Sequence, residues 1–251
     1  YLKNETLFRE ALEGYSETGL HRGQLEMLIR RDLGTRLSRL LRYASTSGDK
    51  FYRYGIMMSE VEQIMACIRA FNDEDNYKMI GELPLYIEKS TSFDIRALAQ
   101  VRDFNALLEV LDKTPYADLI RPFSVTDMEE FDYTACESVL QKYFYDQVMK
   151  IVDQEFSGKV KKEIREIFLT QIELDNITLI YRPNRYFNAT PAQRKKVINP
   201  VYLRIPKREL EDMIDHCNAE EFMERLARSA YHNYLDSSNF AYIEYHAQSI
   251  N

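Results

Sequence analysis

Histidine and cysteine are the side chains best suited to bind a transition metal, and the chain has four histidines and three cysteines. The histidines are His21, His216, His232 and His246. They form no His-Glu-x-x-His motif, and no cysteine stands at zinc-site spacing from them. The cysteines Cys67, Cys136 and Cys217 are widely scattered, which is typical of reduced thiols in a cytosolic protein. We therefore predict no metal site and no metal cofactor.

Nucleotide chemistry needs a glycine-rich loop whose backbone amides surround the phosphates. The one Gly-Lys pair lies in Ser157-Gly158-Lys159-Val160, which lacks the earlier glycine and the following Ser or Thr of a P-loop. A tight turn between two helices explains this sequence better. No nucleophile motif is present, and the many carboxylates are typical of solvated helix faces. The sequence predicts no catalytic residue, no cofactor, no bound nucleotide and no enzyme activity.

The charge balance restricts the partners. The net charge is −7 with a pI of about 5.3, so nucleic acid is a poor candidate and an anionic lipid surface should repel the chain. No run of apolar residues is long enough to span a bilayer. If the protein works near a membrane, we expect a protein partner to hold it there.

Long helices are the elements that must position any functional side chain. The chain has only 8 glycines and 7 prolines, and apolar residues follow helical spacing from Tyr133 onwards. Leu140, Phe144 and Val148 lie on one helix face. After Ser157-Gly158 the pattern restarts and is predicted to end before Pro183. The sequence thus predicts two long antiparallel helices and an all-α fold.

A short motif, Thr/Ser-x-aromatic followed by Leu or Ile, recurs along the chain. It occurs at 6–12, 114–120 and 229–235. Before the second and third copies, five apolar residues align at a constant offset of 115. They are Ile95, Leu98, Leu107, Leu108 and Leu111, matched by Leu210, Met213, Phe222, Met223 and Leu226. After each copy a glutamate marks a new helix: Glu26, Glu137 and Glu244.

The period of about 110 residues is too long for a short-repeat solenoid, so we predict repeated helical bundles. The predicted units are residues 6–113, 114–228 and 229–251, and the third contains only the beginning of a unit. On the same reasoning we expect the natural protein to continue beyond Asn251, with a third copy of the later helix about 35 residues after Glu244.

A second helical motif gives the candidate site residues. Residues 60–64 and Arg69 match residues 173–177 and Arg182 at an offset of 113. The polar members selected are Glu62, Gln63, Arg69, Asp175, Asn176 and Arg182. Asp175 and Arg182 are seven residues apart, about 10.5 Å along a helix, which is too far for a direct ion pair. These residues either fix the packing of helices within each unit, which we favour, or face a partner.

Residues 172–182 (IELDNITLIYR) resemble the signature helix of the family that comprises the d subunit of V-type ATPases and the C subunit of archaeal-type ATP synthases. Residues 60–65 (EVEQIM) with Arg69 resemble another copy, in which Gln63 replaces the usual Asn. Residues 242–246 (YIEYH) resemble the start of the family's last unit. The resemblance covers essentially the whole chain.

This resemblance implies a funnel of three helical bundles on the cytoplasmic side of the membrane. Such a subunit is a peripheral, non-catalytic part of the central stalk. It sits on the membrane rotor ring, receives the tip of the central shaft, and couples the two during ion transport. Two alternatives stay open: a free-standing cytosolic helical scaffold for protein partners, and an all-α enzyme whose pocket carries no motif.

Overall fold

The computed structural model describes residues 1–16, 19–47, 50–72, 85–125 and 128–232. Within these ranges it contains α-helices and short 3-10 turns and no strand, which confirms the predicted all-α class. The chain divides into two compact units, unit 1 (Tyr1–Asp132) and unit 2 (Tyr133–Asn251). The domain boundaries inferred from the repeat remain predictions. Most of the predicted third unit (residues 229–251), including Glu244, lies outside the described residues.

Unit 1 contains two longer helices, with shorter helices before and after them. Its α-helices in the described ranges are α1 (Leu2–Glu5), α2 (Arg9–Leu12), α3 (Arg22–Ser47), α4 (Arg53–Arg69), α5 (Ile95–Leu98), α6 (Phe104–Leu111) and α7 (Pro115–Ile120). A 3-10 turn spans Leu85–Ser90. A Cβ at Gly55 would lie 2.7 Å from Leu37 Cδ2, so this glycine lets α4 pass close to α3. The buried side chains include Ile64, Ile68, Ile95, Leu98 and Leu107.

Unit 2 has two long helices followed by three shorter ones in its described part. Its described α-helices are α8 (Tyr133–Glu155), α9 (Gly158–Phe187), α10 (Pro191–Val197), α11 (Lys207–His216) and α12 (Ala219–Ala227). The long pair α8 and α9 confirms the predicted helical hairpin, and Gly158 makes the turn with a φ of +57°. A single core joins the second half of α9 to α11 and α12 through Ile177, Ile180, Met213, Phe222 and Leu226.

The predicted end of α9 before Pro183 is wrong. Proline lacks the N–H that would bond the preceding turn, yet the helix continues to Phe187. The last turn is held from outside, because Asn184 Nδ2 donates to the Cys217 carbonyl at 3.2 Å. Asn188 then ends the helix in the left-handed conformation, with a φ of 47°. Tertiary contacts therefore outweigh the missing hydrogen bond.

Four of the five aligned apolar pairs are buried at both positions. Helix α6 begins after the cap residue Asp103 and α12 after the cap residue Asn218, which is 115 residues later. Leu107 and Phe222, one aligned pair, are both fully buried. The same core positions and the same helix start therefore recur at the predicted offset. Full superposition of the units stays a prediction.

Candidate functional site

Among the described residues of unit 2, the Glu173 carboxylate is the buried side-chain group with the most hydrogen bonds, and it lies on the apolar face of α9. Its side chain is only 1% exposed. The backbone N–H groups of Leu203, Arg204 and Ile205 donate to it at 2.9–3.0 Å, and the Tyr231 hydroxyl donates at 2.6 Å. We call this set the Glu173 clamp. It joins α9 both to the loop before α11 and to the segment after α12.

The surroundings of Tyr231 favour the protonated hydroxyl that donates to Glu173. Desolvation raises the pKa of Tyr231, and the hydrogen bond and charge of Glu173 raise it further. The Arg204 guanidinium lies 5.9 Å from the centre of the Tyr231 ring and donates to Thr170 Oγ1 at 2.6 Å. Arg204 therefore covers the clamp and ties its loop back to α9.

Unit 1 contains the matching Glu60 clamp on α4. Glu60 is 3% exposed, accepts a hydrogen bond from the Ser92 backbone N–H, and accepts another from the Tyr116 hydroxyl at 2.7 Å. Ser92 lies in the loop before α5, as Arg204 lies in the loop before α11. Phe93 packs edge-on against Tyr116, with 6.2 Å between ring centres. In both units, a buried glutamate of the signature helix fixes one loop and one tyrosine.

Asn176 makes a second connection in unit 2. Its Nδ2 donates to the Asn199 carbonyl at 2.7 Å, and its Oδ1 accepts from the Asn199 N–H at 2.8 Å. Both polar ends of the side chain are thus satisfied by one backbone residue. Because Asn176 is fully buried, this two-point contact fixes the residues after α10 against α9.

Asp175 links the two long helices. It accepts from the Tyr145 hydroxyl of α8 at 2.6 Å and from Gln171 Nε2 at 2.9 Å. Burial raises the pKa of the Asp175 carboxyl, although both hydrogen bonds act to lower it. The pKa of Tyr145 is also raised, first by burial and then by the Asp175 charge. This contact joins the polar edges of α8 and α9.

The remaining candidates lie nearer the surface. Glu62 and Arg69 are exposed on α4, and Gln63 is half-buried. Arg182 is half-buried near the end of α9 and makes no hydrogen bond or ion pair with any residue in the described ranges. The structure therefore brings Asp175 and Asn176 into packing contacts, while Glu62, Arg69 and Arg182 lie at the boundary with solvent.

Sequence reasoning used Glu60 and Glu173 as motif positions but did not select them as polar candidates. Two signals could have identified them. Glu173 falls on the apolar face with Ile177 and Ile180, where a carboxylate must be paired. The aromatic residue of the short motif, Tyr116 or Tyr231, is the tyrosine that donates to the buried glutamate. The glutamate and the tyrosine therefore both belong to motifs that recur in the sequence.

The polar side chains described above connect helices and loops within their unit. No group of three or more His, Cys, Asp or Glu side chains among the described residues could hold a metal ion. A cavity beside Tyr145, Asp175 and Asn176 holds only about 10 Å³, room for about one water molecule. Across the described part of the chain, no helix combines the length and apolar character needed to cross a bilayer.

Comparison with protein families agrees with these repeated signature helices. The family model described as ATP synthase (C/AC39) subunit matches residues 1–250. A search of curated proteins gives no match. Because the family model covers essentially the whole chain, this chain belongs to the ATP synthase (C/AC39) subunit family, whose members are subunits of V/A-type rotary ATPases.

Proposed function

We propose that this protein is a central-stalk subunit that joins the membrane rotor ring to the central shaft during ion transport. In this role it is a non-catalytic socket on the cytoplasmic side of the membrane. The family match over residues 1–250 carries the proposal. The proposed partners are the shaft subunits and the rotor ring.

The buried clamps support a mechanical role. A part that passes torque must resist bending, so its loops and helices need connections beyond apolar contact. Glu60 and Glu173 supply such connections, each with hydrogen bonds to a loop and to a tyrosine more than 50 residues away in the chain. Hydrogen bonds to a buried carboxylate are directional and strong, which favours a single packing arrangement.

Calorimetry with purified shaft subunits and, separately, with ATP tests the socket role. We expect saturable binding of the shaft and neither tight binding nor hydrolysis of ATP. Micromolar ATP binding without shaft binding would contradict the proposal. Purification from cells distinguishes the free-standing scaffold, which should not copurify with other ATPase subunits.

Two variants separate packing from partner contact at the signature helix. Asn176→Ala removes both contacts to Asn199 and should lower the free energy of unfolding by about 1–3 kcal/mol. Arg182→Ala should change it by no more than about 0.5 kcal/mol but weaken assembly. Thermal melts beside a shaft-binding assay measure both effects. A large loss of stability in Arg182→Ala would assign Arg182 to packing.

A further inference from the structure

Unit 2 contains a basic segment, residues 182–208, that stands out in this acidic chain. It has eight basic residues and no Asp or Glu, while the whole chain has a net charge of −7. The basic residues are Arg182, Arg185, Arg194, Lys195, Lys196, Arg204, Lys207 and Arg208. The rest of the chain therefore has a net charge of −15, from −7 − 8.

The equivalent segment of unit 1 has the opposite charge. At the repeat offsets of 113 and 115 it corresponds to residues 69–93, which contain three basic and five acidic residues. The repeat preserves the buried glutamate, the clamping tyrosine and the apolar core, but not this charge. Arg194 is buried and Arg204 covers the Glu173 clamp, but the other six basic residues have no such packing role in the described residues. Their charge is better explained by a surface interaction specific to unit 2.

Most of these basic side chains can reach a partner. Seven of the eight are exposed or half-buried, and Arg194 is the buried exception. Arg185 pairs with Glu220 at 3.0 Å and Lys195 with Asp215 at 2.6 Å. More than a third of each of these four side chains is exposed, so the ion pairs are weak and can exchange for an external anion.

Exposed aromatic residues lie within the same segment. Tyr186 and Phe187, at the end of α9, are 51% and 77% exposed. Asn188 reverses the chain there, and α10 starts at Pro191 with Lys195 and Lys196 in its last turn. This exposed aromatic pair is thus close in the chain to four basic residues, Arg182, Arg185, Lys195 and Lys196.

We infer that the basic segment and its aromatic pair form a surface that contacts an anionic phospholipid membrane. Aromatic rings favour the boundary between headgroups and acyl chains, and each nearby Lys or Arg adds attraction to anionic lipid. The net charge of −7 does not prevent this contact, because charges beyond about 8–10 Å are largely screened at physiological salt. Repulsion is expected from the charge of the whole chain, whereas every charged residue of segment 182–208 is basic.

Vesicle cosedimentation of the 251-residue chain tests the inference without shaft or ring subunits, so its failure is distinguishable from failure of the socket role. The probes are phosphatidylcholine vesicles with and without about one third phosphatidylglycerol, at about 0.1 M salt. We expect binding to the anionic vesicles only, and its loss at high salt. Binding to both vesicle types alike, or to neither, would overturn the inference.

Matched variants locate the surface. Lys195→Gln with Lys196→Gln should lower partition into anionic vesicles about thirtyfold, and Phe187→Ser should also lower it. The controls are Lys159→Gln with Lys162→Gln, and Ile167→Ser. These control residues are exposed on the same helix α9, with the lysines roughly 40 Å from Phe187 at 1.5 Å per residue.

Circular dichroism melts should show that all variants stay folded. Equal losses in the two double variants would indicate a general charge effect and overturn the inference. Unchanged vesicle binding together with weaker assembly in Lys195→Gln/Lys196→Gln would instead assign the surface to an acidic protein partner, which also overturns it.

Discussion

A buried carboxylate is costly unless hydrogen bonds replace its water, and Glu173 receives them from three backbone N–H groups and one tyrosine. Two oxygens on one side chain thereby hold a loop and a distant segment at once. Glu60 does the same in unit 1 with fewer donors. The two clamps explain why a charged residue recurs on an apolar helix face.

Substitutions in the Glu173 clamp should therefore lower the free energy of unfolding. Glu173→Gln should lower the free energy of unfolding by about 1–3 kcal/mol, because an amide N–H₂ replaces an acceptor facing several donors. Tyr231→Phe removes one donor and should cost about 1–2 kcal/mol. Urea denaturation measures both. As a control, Tyr43→Phe at an exposed position should stay within about 0.5 kcal/mol, and an equal loss there would contradict the clamp.

Asp175 should make stability depend on pH. Burial raises the pKa of Asp175 in the folded state above its unfolded value of about 4. The contribution of this carboxyl to the free energy of unfolding is therefore fully present below about pH 4, and it is lost as pH rises through the folded-state pKa. Asp175→Asn keeps an acceptor for Tyr145 but cannot ionise. We expect its stability relative to wild type to increase as pH rises from about 4 to 7.

Chemical denaturation at several pH values measures this difference, and other titrating groups cancel between the two proteins. A difference that does not change with pH would show that the Asp175 pKa is the same in the folded and unfolded states.

Helix starts also recur between the units. The side chain of Asp103 accepts from the Ala106 N–H before α6, and that of Asn218 accepts from the Glu220 and Glu221 N–H groups before α12. Each cap satisfies donors that the first turn of a helix leaves without partners. Short helices of eight and nine residues depend on such caps and on tertiary packing, because their own hydrogen bonds are few.

Asp103→Ala and Asn218→Ala should each lower the free energy of unfolding by about 1 kcal/mol. Asn105→Ala, on the exposed side of the first turn of α6, is the matched control and should change it by no more than about 0.5 kcal/mol. Similar losses at all three positions would mean that the caps contribute no specific stability. Equilibrium unfolding in urea gives the three values.

The division into two compact units predicts how the clamps combine. Glu60 and Tyr116 lie in unit 1, whereas Glu173 and Tyr231 lie in unit 2. Sites that share no partner usually have additive effects. The double variant Glu60→Gln/Glu173→Gln should therefore lose the sum of the single losses, to within about 0.5 kcal/mol.

A double-mutant cycle based on denaturation measures the sum. A coupling energy above about 1 kcal/mol would show that the effects of the two substitutions on the free energy of unfolding are not independent.

Sequence periodicity by itself determined the helical class, the long hairpin α8–α9 and the matched core residues. These follow from local spacing: apolar residues at helical intervals produce one buried face wherever they occur. The family was also predictable from the sequence, because residues 172–182 retain the polar pattern of the signature helix.

Tertiary structure decided which polar residues matter for packing. Glu173, Leu203 and Tyr231 are far apart in the chain, and only folding brings their hydrogen-bonding groups together. Likewise, the hydrogen bond from Asn184 to Cys217 supports α9 beyond Pro183, where local rules end it. Spacing along a chain fixes which face a side chain occupies, but the groups that satisfy a buried charge come from elsewhere in the fold.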